Sequence, residues 1–504
     1  MRRLLDLPLL VILLGIGALA MLLPAAHAVV MDDHRVARAF FYSALVCLML
    51  IAMLALATAT YRPADRARSH LAALLGAYLV LPVMLALPFD QAVRDTAFHN
   101  AWFEMVSAFT TTGATVYDDP ARLPDSLHLW RALVGWMGGF FALTMAVAVL
   151  APMNLGGFEV IAPRPAGGAG LLLGGRLPDP GERVLRHAVD LLPVYAGLTL
   201  ALWVLLLMAG DPGLVALCHA MSVLSTSGIS PLGPMPAPVS GVTGELAMAL
   251  FLVFALTRRA LPVRLTGPRL PVPFWRDPEV RLALTLVLAV PGLLFLRNYV
   301  GAIETAAAED LPAALRALWG GVFSALSFVT TTGFVSQAWA DTRLWSGLDT
   351  PGLLFMGFAI IGGGVATTAG GVKLLRVYAL FRHAQREIER LVHPHSVGGQ
   401  GMGGRRLQHD GAQLAWIFFM LVAASIGLFV AALTLAGLAF EPALVFGVAA
   451  LTTTGPLAQV AAAEPLSWAQ LAPAAKAILG LAMIVGRLET LALVALLAPD
   501  AWRR

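Results

Sequence analysis

The sequence of 504 residues contains little charge: only 13% of its residues are Asp, Glu, Lys or Arg. Soluble domains carry about a quarter of such residues, so this shortage excludes a soluble globular protein of comparable length. Cysteine is also scarce, and the two cysteines, Cys47 and Cys218, lie far apart in apolar stretches. They cannot build a disulfide framework, a zinc site or a haem motif. Because paired carboxylates, a nucleophile motif and a phosphate-binding loop in a convincing context are missing too, the sequence does not indicate an enzyme.

Apolar residues make up 59% of the chain and fall into long runs. A membrane-spanning helix takes about 20 apolar residues, and ten runs approach or exceed that length: 7–29, 39–60, 70–88, 127–152, 185–209, 241–262, 280–298, 348–383, 411–439 and 470–498. The sequence therefore predicts an all-α integral membrane protein. The first run has features of a signal peptide, including the small residues around His27, but its length favours a retained span.

The charged residues divide between the two sides of the membrane. Arginines concentrate in the loops on the side of Arg2 and Arg3, for example Arg258 and Arg259, and acids such as Asp211 lie in the opposite loops. Because short cytoplasmic loops are enriched in Lys and Arg, this pattern predicts that both termini are cytoplasmic. The formal net charge of +4 therefore reflects loop topology and does not indicate nucleic-acid binding.

Four outer loops contain an internal repeat. Each has a short, weakly apolar segment of about a dozen residues, too short to cross the bilayer, and then hydroxyl residues and a glycine. The four motifs are residues 110–113, 225–228, 330–333 and 452–455. The repeat divides the chain into two N-terminal spans at 1–61 and four units at 62–157, 158–270, 271–390 and 391–504. The predicted fold is four pseudo-symmetric units around one pore, each a span, a pore helix, an extended filter segment and a second span.

The repeated motifs predict a cation filter. Non-helical backbone at membrane depth is tolerated only when it is buried in protein or lines a water-filled cavity. Carbonyls of four such segments around one axis can replace the hydration shell of a cation. A lone motif of this kind is more often a helix end or a turn, but four copies in equivalent loops favour the filter. The candidate filter residues are Thr111, Thr112, Gly113, Thr226, Ser227, Gly228, Thr331, Thr332, Gly333, Thr453, Thr454 and Gly455.

The eighth apolar run is interrupted by a glycine-rich segment, residues 362–373. Each glycine in a helix interior costs about 1 kcal/mol relative to alanine, so we expect the helix to break here. One interpretation is a surface of small residues that lets helices approach closely. The interpretation that we favour is a loop that crosses the conduction path below the filter. The candidate gate residues in this segment are Gly362, Gly363, Gly364, Thr367, Thr368, Gly370, Gly371 and Lys373.

One further charge, Arg487, falls within the last apolar run. A charge at that depth normally faces the bundle interior and has a partner or a function. Arg487 can therefore pair with Glu489 or extend toward the cytoplasm, or it can act at the pore. We include it among the candidate gate residues.

These motifs resemble the Trk/Ktr/HKT superfamily of potassium transporters, and within it the bacterial TrkH branch, over essentially the full chain. The resemblance implies that potassium is the substrate, held by carbonyls of each motif glycine and of the two residues before it, and that this chain binds no other cofactor. It implies that the glycine-rich loop is the gate, with Arg487 beside it raising the barrier to potassium. It further implies a homodimer in the bacterial inner membrane and a cytosolic TrkA-type subunit that binds NAD or ATP. The chain departs from the TrkH pattern at Leu457, where a second glycine usually follows Pro456.

A proton- or sodium-coupled cation symporter is the alternative function. Such a transporter is expected to have inverted halves and functional acids buried in its spans. The chain instead has four units in the same direction, and Glu489 is the one clear candidate acid in a predicted span. The sequence therefore favours a channel-like pore.

Overall fold

The computed structural model describes residues 8–59, 66–151, 156–158, 180–260, 274–304, 311–346, 348, 350–393 and 402–488. All regular secondary structure in these ranges is helical, which confirms the predicted all-α class. Residues 1–7 and 489–504 lie outside the described residues, and with them Arg2, Arg3 and Glu489.

The helices of the described ranges are grouped here by the sequence bounds of the predicted units. Three precede the first unit: α1 (Leu9–Ala20), α2 (Leu22–Val30) and α3 (His34–Thr58). The first two units contain α4 (Arg66–Ala92), α5 (Phe98–Phe109), α6 (Asp125–Met145), α7 (Pro180–Ala209), α8 (Gly213–Ser225) and α9 (Val242–Leu252). The third contains α10 (Pro278–Glu304), α11 (Leu311–Val329), α12 (Trp339–Ser346), α13 (Gly352–Ile361) and α14 (Leu374–Val392). The fourth contains α15 (Met402–Leu435), α16 (Phe440–Leu451), α17 (Leu457–Val460) and α18 (Pro473–Leu488). We call α5, α8, α11 and α16 the motif helices, because each ends at or directly before a hydroxyl–glycine motif.

Eight helical stretches in the described ranges are long and apolar enough to cross a membrane. Seven of them coincide with predicted spans. The other three predicted spans are not among the eight, each for a visible reason. In the sixth, α9 is short and continues as a 3-10 turn at Val253–Ala255. The eighth is broken between α13 and α14, and the tenth is described only as far as Leu488.

The eighth stretch of spanning length is Pro312–Val329 in α11. The sequence predicted a half-helix of about a dozen residues here, and that length is wrong, because helix α11 begins at Leu311 and has 19 residues. Its apolar face simply continues for more turns toward the N-terminus than those of the other motif helices. Helix α11 still ends directly before the third motif, as α5 and α16 end directly before the first and fourth motifs.

The N-terminal helices pack on the first unit. Phe40 of α3 and Trp130 of α6 are both fully buried, with ring centroids 5.4 Å apart. His27 of α2 and the hydroxyl of Ser126 in α6 are within hydrogen-bond distance, at 2.8 Å. The first predicted span is thus part of the packed helical body.

Helix α6 reaches two motif helices through a pair of adjacent glycines. A Cβ on Gly138 would overlap the carbonyl oxygen of Phe109 at the end of α5, and a Cβ on Gly139 would lie 2.7 Å from the Cβ of Ser225 at the end of α8. In the fourth unit, Gly486 of α18 fits against the Leu451 carbonyl at the end of α16 in the same way. These glycines let the long helix that follows a motif approach the point where a motif begins.

We predict that Gly138→Ala destabilises the protein by about 2 kcal/mol, a typical penalty for overpacking a tight contact. Gly292→Ala is the matched control, because Gly292 is also helical and has no atom within 4 Å of an added Cβ. Thermal unfolding in detergent micelles measures the difference. Equal midpoints for the two variants would contradict the tight approach of α6 to α5.

Candidate ion-conduction site

The four motif segments, residues 110–113, 225–228, 330–333 and 452–455, have nearly the same backbone conformation at their start. The second residue of each is left-handed, with φ of 57° at Thr111, 53° at Thr226, 55° at Thr331 and 54° at Thr453. A β-branched residue is rarely found in this region, and it persists only where the surroundings enforce it. The shared conformation is therefore a built feature of the four segments.

In every motif, the same hydrogen bond enforces the left-handed conformation of the second residue. The amide of the third motif residue donates to the carbonyl five residues earlier in its own motif helix: Thr112 to Ser107, Ser227 to Ser222, Thr332 to Ser327 and Thr454 to Ala449, all at 2.8–2.9 Å. The hydroxyls of the first and third motif residues also lie 2.8–3.3 Å apart in every segment. The hydroxyls of the first and third motif residues are thus paired with each other within their own segment.

The segments meet in chain order around one axis. A Cβ on Gly113 would overlap the Ser227 carbonyl oxygen, and one on Gly228 would overlap the Thr332 carbonyl oxygen. A Cβ on Gly333 would lie 2.9 Å from the Pro456 ring. A Cβ on Gly455 would overlap the backbone nitrogen of Ala114 in the first unit, so the four segments form a closed ring. Each motif glycine therefore contacts the next segment, where a side chain would not fit. The motif helices end at this ring, so the negative ends of their dipoles favour a cation there.

The fourth segment departs from the others at its glycine. Gly113, Gly228 and Gly333 have φ of +74°, +63° and +85°, whereas Gly455 is not in the left-handed region. Its amide donates to the Thr112 carbonyl at 2.6 Å. The chain then turns inward, with Pro456 against Gly228 and Gly333, and continues into α17.

The interrupted span forms a loop between α13 and α14, residues 362–373, which we call the crossing loop. It contains four left-handed residues, Gly362, Ala366, Gly371 and Lys373. Its two ends are joined by hydrogen bonds from Val372 to Ile360 and from Lys373 to Ile361, both at 2.8 Å. The predicted break in the helix is thus present at the predicted residues.

The crossing loop touches all four units just below the ring. The Gly370 amide donates to the Thr331 hydroxyl at 2.7 Å, and the Thr368 hydroxyl donates to the carbonyl of Leu224 in α8 at 3.2 Å. A Cβ on Gly370 would also lie against the hydroxyl of Thr453 in the fourth motif, and Val365 packs against Gly157 of the first unit. The loop therefore contacts two motif residues, the end of α8 and a residue of the first unit.

The other candidate gate residues hold this loop in place. The Thr367 hydroxyl donates to the Gly364 carbonyl at 2.7 Å, and the Gly364 amide donates to the Ala255 carbonyl at 2.9 Å. A Cβ on Gly363 would lie 2.6 Å from the same Ala255 carbonyl. Lys373 is buried, and its ammonium group donates to the carbonyl of Ala369 within the loop.

Arg487 lies beside the crossing loop. Its guanidinium donates to the Thr368 carbonyl at 2.6 Å and lies close to the buried Tyr78 of α4. The possible pair with Glu489 falls outside the described residues. Arg487 thus joins helix α18 to the middle of the loop.

Sequence reasoning missed several acids of this region. Glu489 was predicted to be the one clear acid in the spans, and this is wrong, because Glu245 of α9 and Glu279 of α10 are buried. Glu279 accepts a hydrogen bond from the Val365 amide at 2.8 Å and so anchors the crossing loop. Glu245 accepts from Trp319, Ser336 and the Gln337 amide at 2.7–2.8 Å. Their positions inside or at the start of apolar runs were the available signal.

The chain is similar to known cation transport proteins in sequence and in structure. The family model described as a TrkH cation transport protein matches residues 206–502. The Trk system potassium uptake protein TrkH of Salmonella typhimurium is 30% identical over 84% of both chains, and that of Escherichia coli K12 is 29% identical over 96% of both. The crystal structure of the potassium transporter TrkH from Vibrio parahaemolyticus superposes with a TM-score of 0.78, at 27% identity over the full length of both chains.

Proposed function

The chain belongs to the TrkH family of cation transport proteins, and from this premise we propose that it takes up potassium across the bacterial inner membrane through a channel-like pore. The observation that most strongly supports this is the ring of four motif segments, which contact one another in chain order. Both termini of the proposed arrangement are cytoplasmic, with the ring toward the outside.

In this proposal the ring is the selectivity filter. Carbonyls of the motif glycines and of the two residues before them coordinate potassium in place of its hydration shell. The support is the pairing of the first and third motif hydroxyls within each segment, together with left-handed threonines that reverse the chain at the end of each motif helix. The predicted filter residues in all four units take part.

The crossing loop is the gate of the proposed pore. Its hydrogen bonds to Leu224 and Thr331 and its contact with Arg487 support a closed position below the filter. Conduction then requires the loop to leave the axis, which breaks these bonds. Arg487 adds an electrostatic barrier, because a positive charge in a low-dielectric site repels a cation more strongly than it would in water.

The proposed partners are a second copy of the chain and a cytosolic TrkA-type subunit that binds NAD or ATP. The relatives are named as proteins of a Trk system, which supports a multi-component assembly. Helix α14 ends in the exposed apolar side chains Ile388, Leu391 and Val392. An exposed apolar patch next to charged residues is a surface that a protein subunit can cover.

We predict that the chain restores growth of a bacterial strain that lacks its own potassium transporters, when potassium is limiting and a TrkA-type subunit is co-expressed. Radioactive rubidium uptake by the same cells measures transport directly. Absence of growth and uptake despite normal amounts of protein in the membrane would contradict the proposed function. Strict dependence of flux on a proton or sodium gradient in liposomes would instead favour the coupled symporter.

We predict that Gly113→Ala lowers the potassium-to-sodium permeability ratio at least about tenfold, which corresponds to about 1.4 kcal/mol in relative free energy. The reason is that the added Cβ overlaps the Ser227 carbonyl oxygen and must move two filter segments. Gly197→Ala in α7 is the control, because an added Cβ there has no atom within 4 Å. Flux assays in liposomes give the ratio, and an unchanged ratio in Gly113→Ala would reject the filter assignment.

We predict that Arg487→Gln raises basal potassium flux several-fold, since removing a charged hydrogen bond of about 1.5–3 kcal/mol loosens the loop and lowers the electrostatic barrier. Arg382→Gln, at an exposed position of α14, is the control. Purified protein in liposomes without any cytosolic subunit measures the basal flux. Lower flux together with a lower melting temperature would mean that Arg487 has only a structural role.

A further inference from the structure

The residue nine positions before each motif glycine lies on the motif helix and faces the chain that follows the glycine. We call this the latch position. It is occupied by Glu104, His219, Ser324 and Phe446 in units one to four. In the first three units, its side chain reaches the residue two or three positions after the glycine. In these three units the latch residue therefore connects the motif helix to the chain that follows the motif glycine.

The first latch is the strongest. One carboxylate oxygen of Glu104 accepts hydrogen bonds from the Thr115 hydroxyl at 2.7 Å and from the Val116 amide at 2.6 Å. The other oxygen pairs with the guanidinium of Arg131 in α6 at 2.8 Å. All of these groups are buried, with the Glu104 side chain only 1% exposed. Charge-assisted hydrogen bonds in such a setting are stronger than neutral ones.

The second and third latches use weaker groups. The Nε2 atom of His219 lies 2.8 Å from the Ser230 hydroxyl, and its Nδ1 atom is 3.9 Å from Asp211. In the third unit, the Ser324 hydroxyl accepts from the Ser336 amide at 3.3 Å. The short side chain is supplemented by Glu245 of α9, whose carboxylate accepts from the Ser336 hydroxyl at 2.8 Å. The second unit thus helps to hold the segment of the third.

The fourth unit has an apolar latch position. Phe446 packs on the buried Trp468 with ring centroids 4.6 Å apart, and the residues two and three positions after Gly455 are Leu457 and Ala458. Neither of these side chains can form a hydrogen bond. The fourth segment is also the one that leaves the shared conformation, because its glycine is not left-handed and Pro456 turns inward. Loss of the polar latch and loss of the shared glycine conformation thus coincide in one unit.

We propose that Glu104, His219, Ser324 and Glu245 are positioning residues that hold three filter segments in the ion-selective conformation, and that apolar packing of Phe446 replaces the polar latch in the fourth segment. This inference rests on the proposed function of the ring as a potassium filter. Without Glu104, the Thr115 hydroxyl and the Val116 amide lose their buried acceptor, and Arg131 loses its counter-charge. The segment after Gly113 then shifts to satisfy these groups, and the Gly113 carbonyl shifts with it.

The test compares variants of the first latch as purified protein in liposomes, with the rubidium-to-sodium permeability ratio as the measurement. Thr115→Val removes only a hydroxyl from a side chain of nearly equal volume, whereas Thr115→Ser keeps it. We expect Thr115→Val and Glu104→Ala to lower the ratio about fivefold to tenfold, the effect of losing one or two buried hydrogen bonds to a carboxylate. Thr115→Ser should retain the parental ratio. Glu104→Gln should be intermediate, because its carbonyl oxygen can still accept from Val116.

Thr199→Val is the matched control, because the buried Thr199 hydroxyl accepts a hydrogen bond from Trp136 at 3.0 Å and donates to the Tyr195 carbonyl at 2.8 Å, and neither partner is a motif residue. It should change thermal stability without changing the ratio. Parental selectivity in folded Thr115→Val would overturn the inference, even if Glu104→Ala fails to fold. Equal loss of selectivity in Thr115→Val and Thr199→Val would overturn it as well. A parent protein that does not discriminate rubidium from sodium would instead overturn the proposed filter itself.

Discussion

Within the hydrocarbon region of a bilayer, a backbone amide or carbonyl has no water to bond, so an extended segment survives there only if the protein satisfies it. In each of the four motifs, this is done by the bond from the third motif residue to the carbonyl five residues earlier in the motif helix. The bond is compatible with the helix end only if the second residue is left-handed, as Thr111 and its equivalents are. The position of every motif glycine, and therefore the ring, depends on this arrangement.

The ring also determines what surrounds it. Adjacent segments touch through their glycines, so the helices that pack behind the segments must also approach closely. Gly138 and Gly139 of α6 allow that close approach to the ends of α5 and α8. In the third motif, the Thr330 and Thr332 hydroxyls are paired with each other, and the Thr331 hydroxyl accepts a hydrogen bond from the Gly370 amide of the crossing loop. The ring and the crossing loop therefore share a hydrogen bond, so movement of the loop changes the environment of a motif residue directly. Glu279 and Arg487 hold the loop from the third and fourth units.

Much of this architecture could be predicted from the sequence, because its signals are local. Glycines at 362–364 and 370–371 must break a helix, and four hydroxyl–glycine motifs in equivalent loops indicate one repeated structure. Partners that are distant in the chain could not be predicted. The pairing of Glu104 with Thr115 requires the motif to fold back on its helix. The pairing of Glu245 with Ser336 joins residues of two units that are 91 positions apart in the chain. The inward turn at Pro456 depends on Gly228 and Gly333 of other units. The length of α11 was misjudged, since an apolar half-helix and a span differ only in where the helix begins.

We propose that the four motifs form one cation site on a common axis. A crystal grown in rubidium reveals such a site without reference to any assumed role, because anomalous scattering locates the ion. We expect anomalous density on the axis, surrounded by carbonyl oxygens of the motif segments and above the crossing loop. Rubidium density away from these segments, with none on the axis in well-ordered crystals, would contradict it.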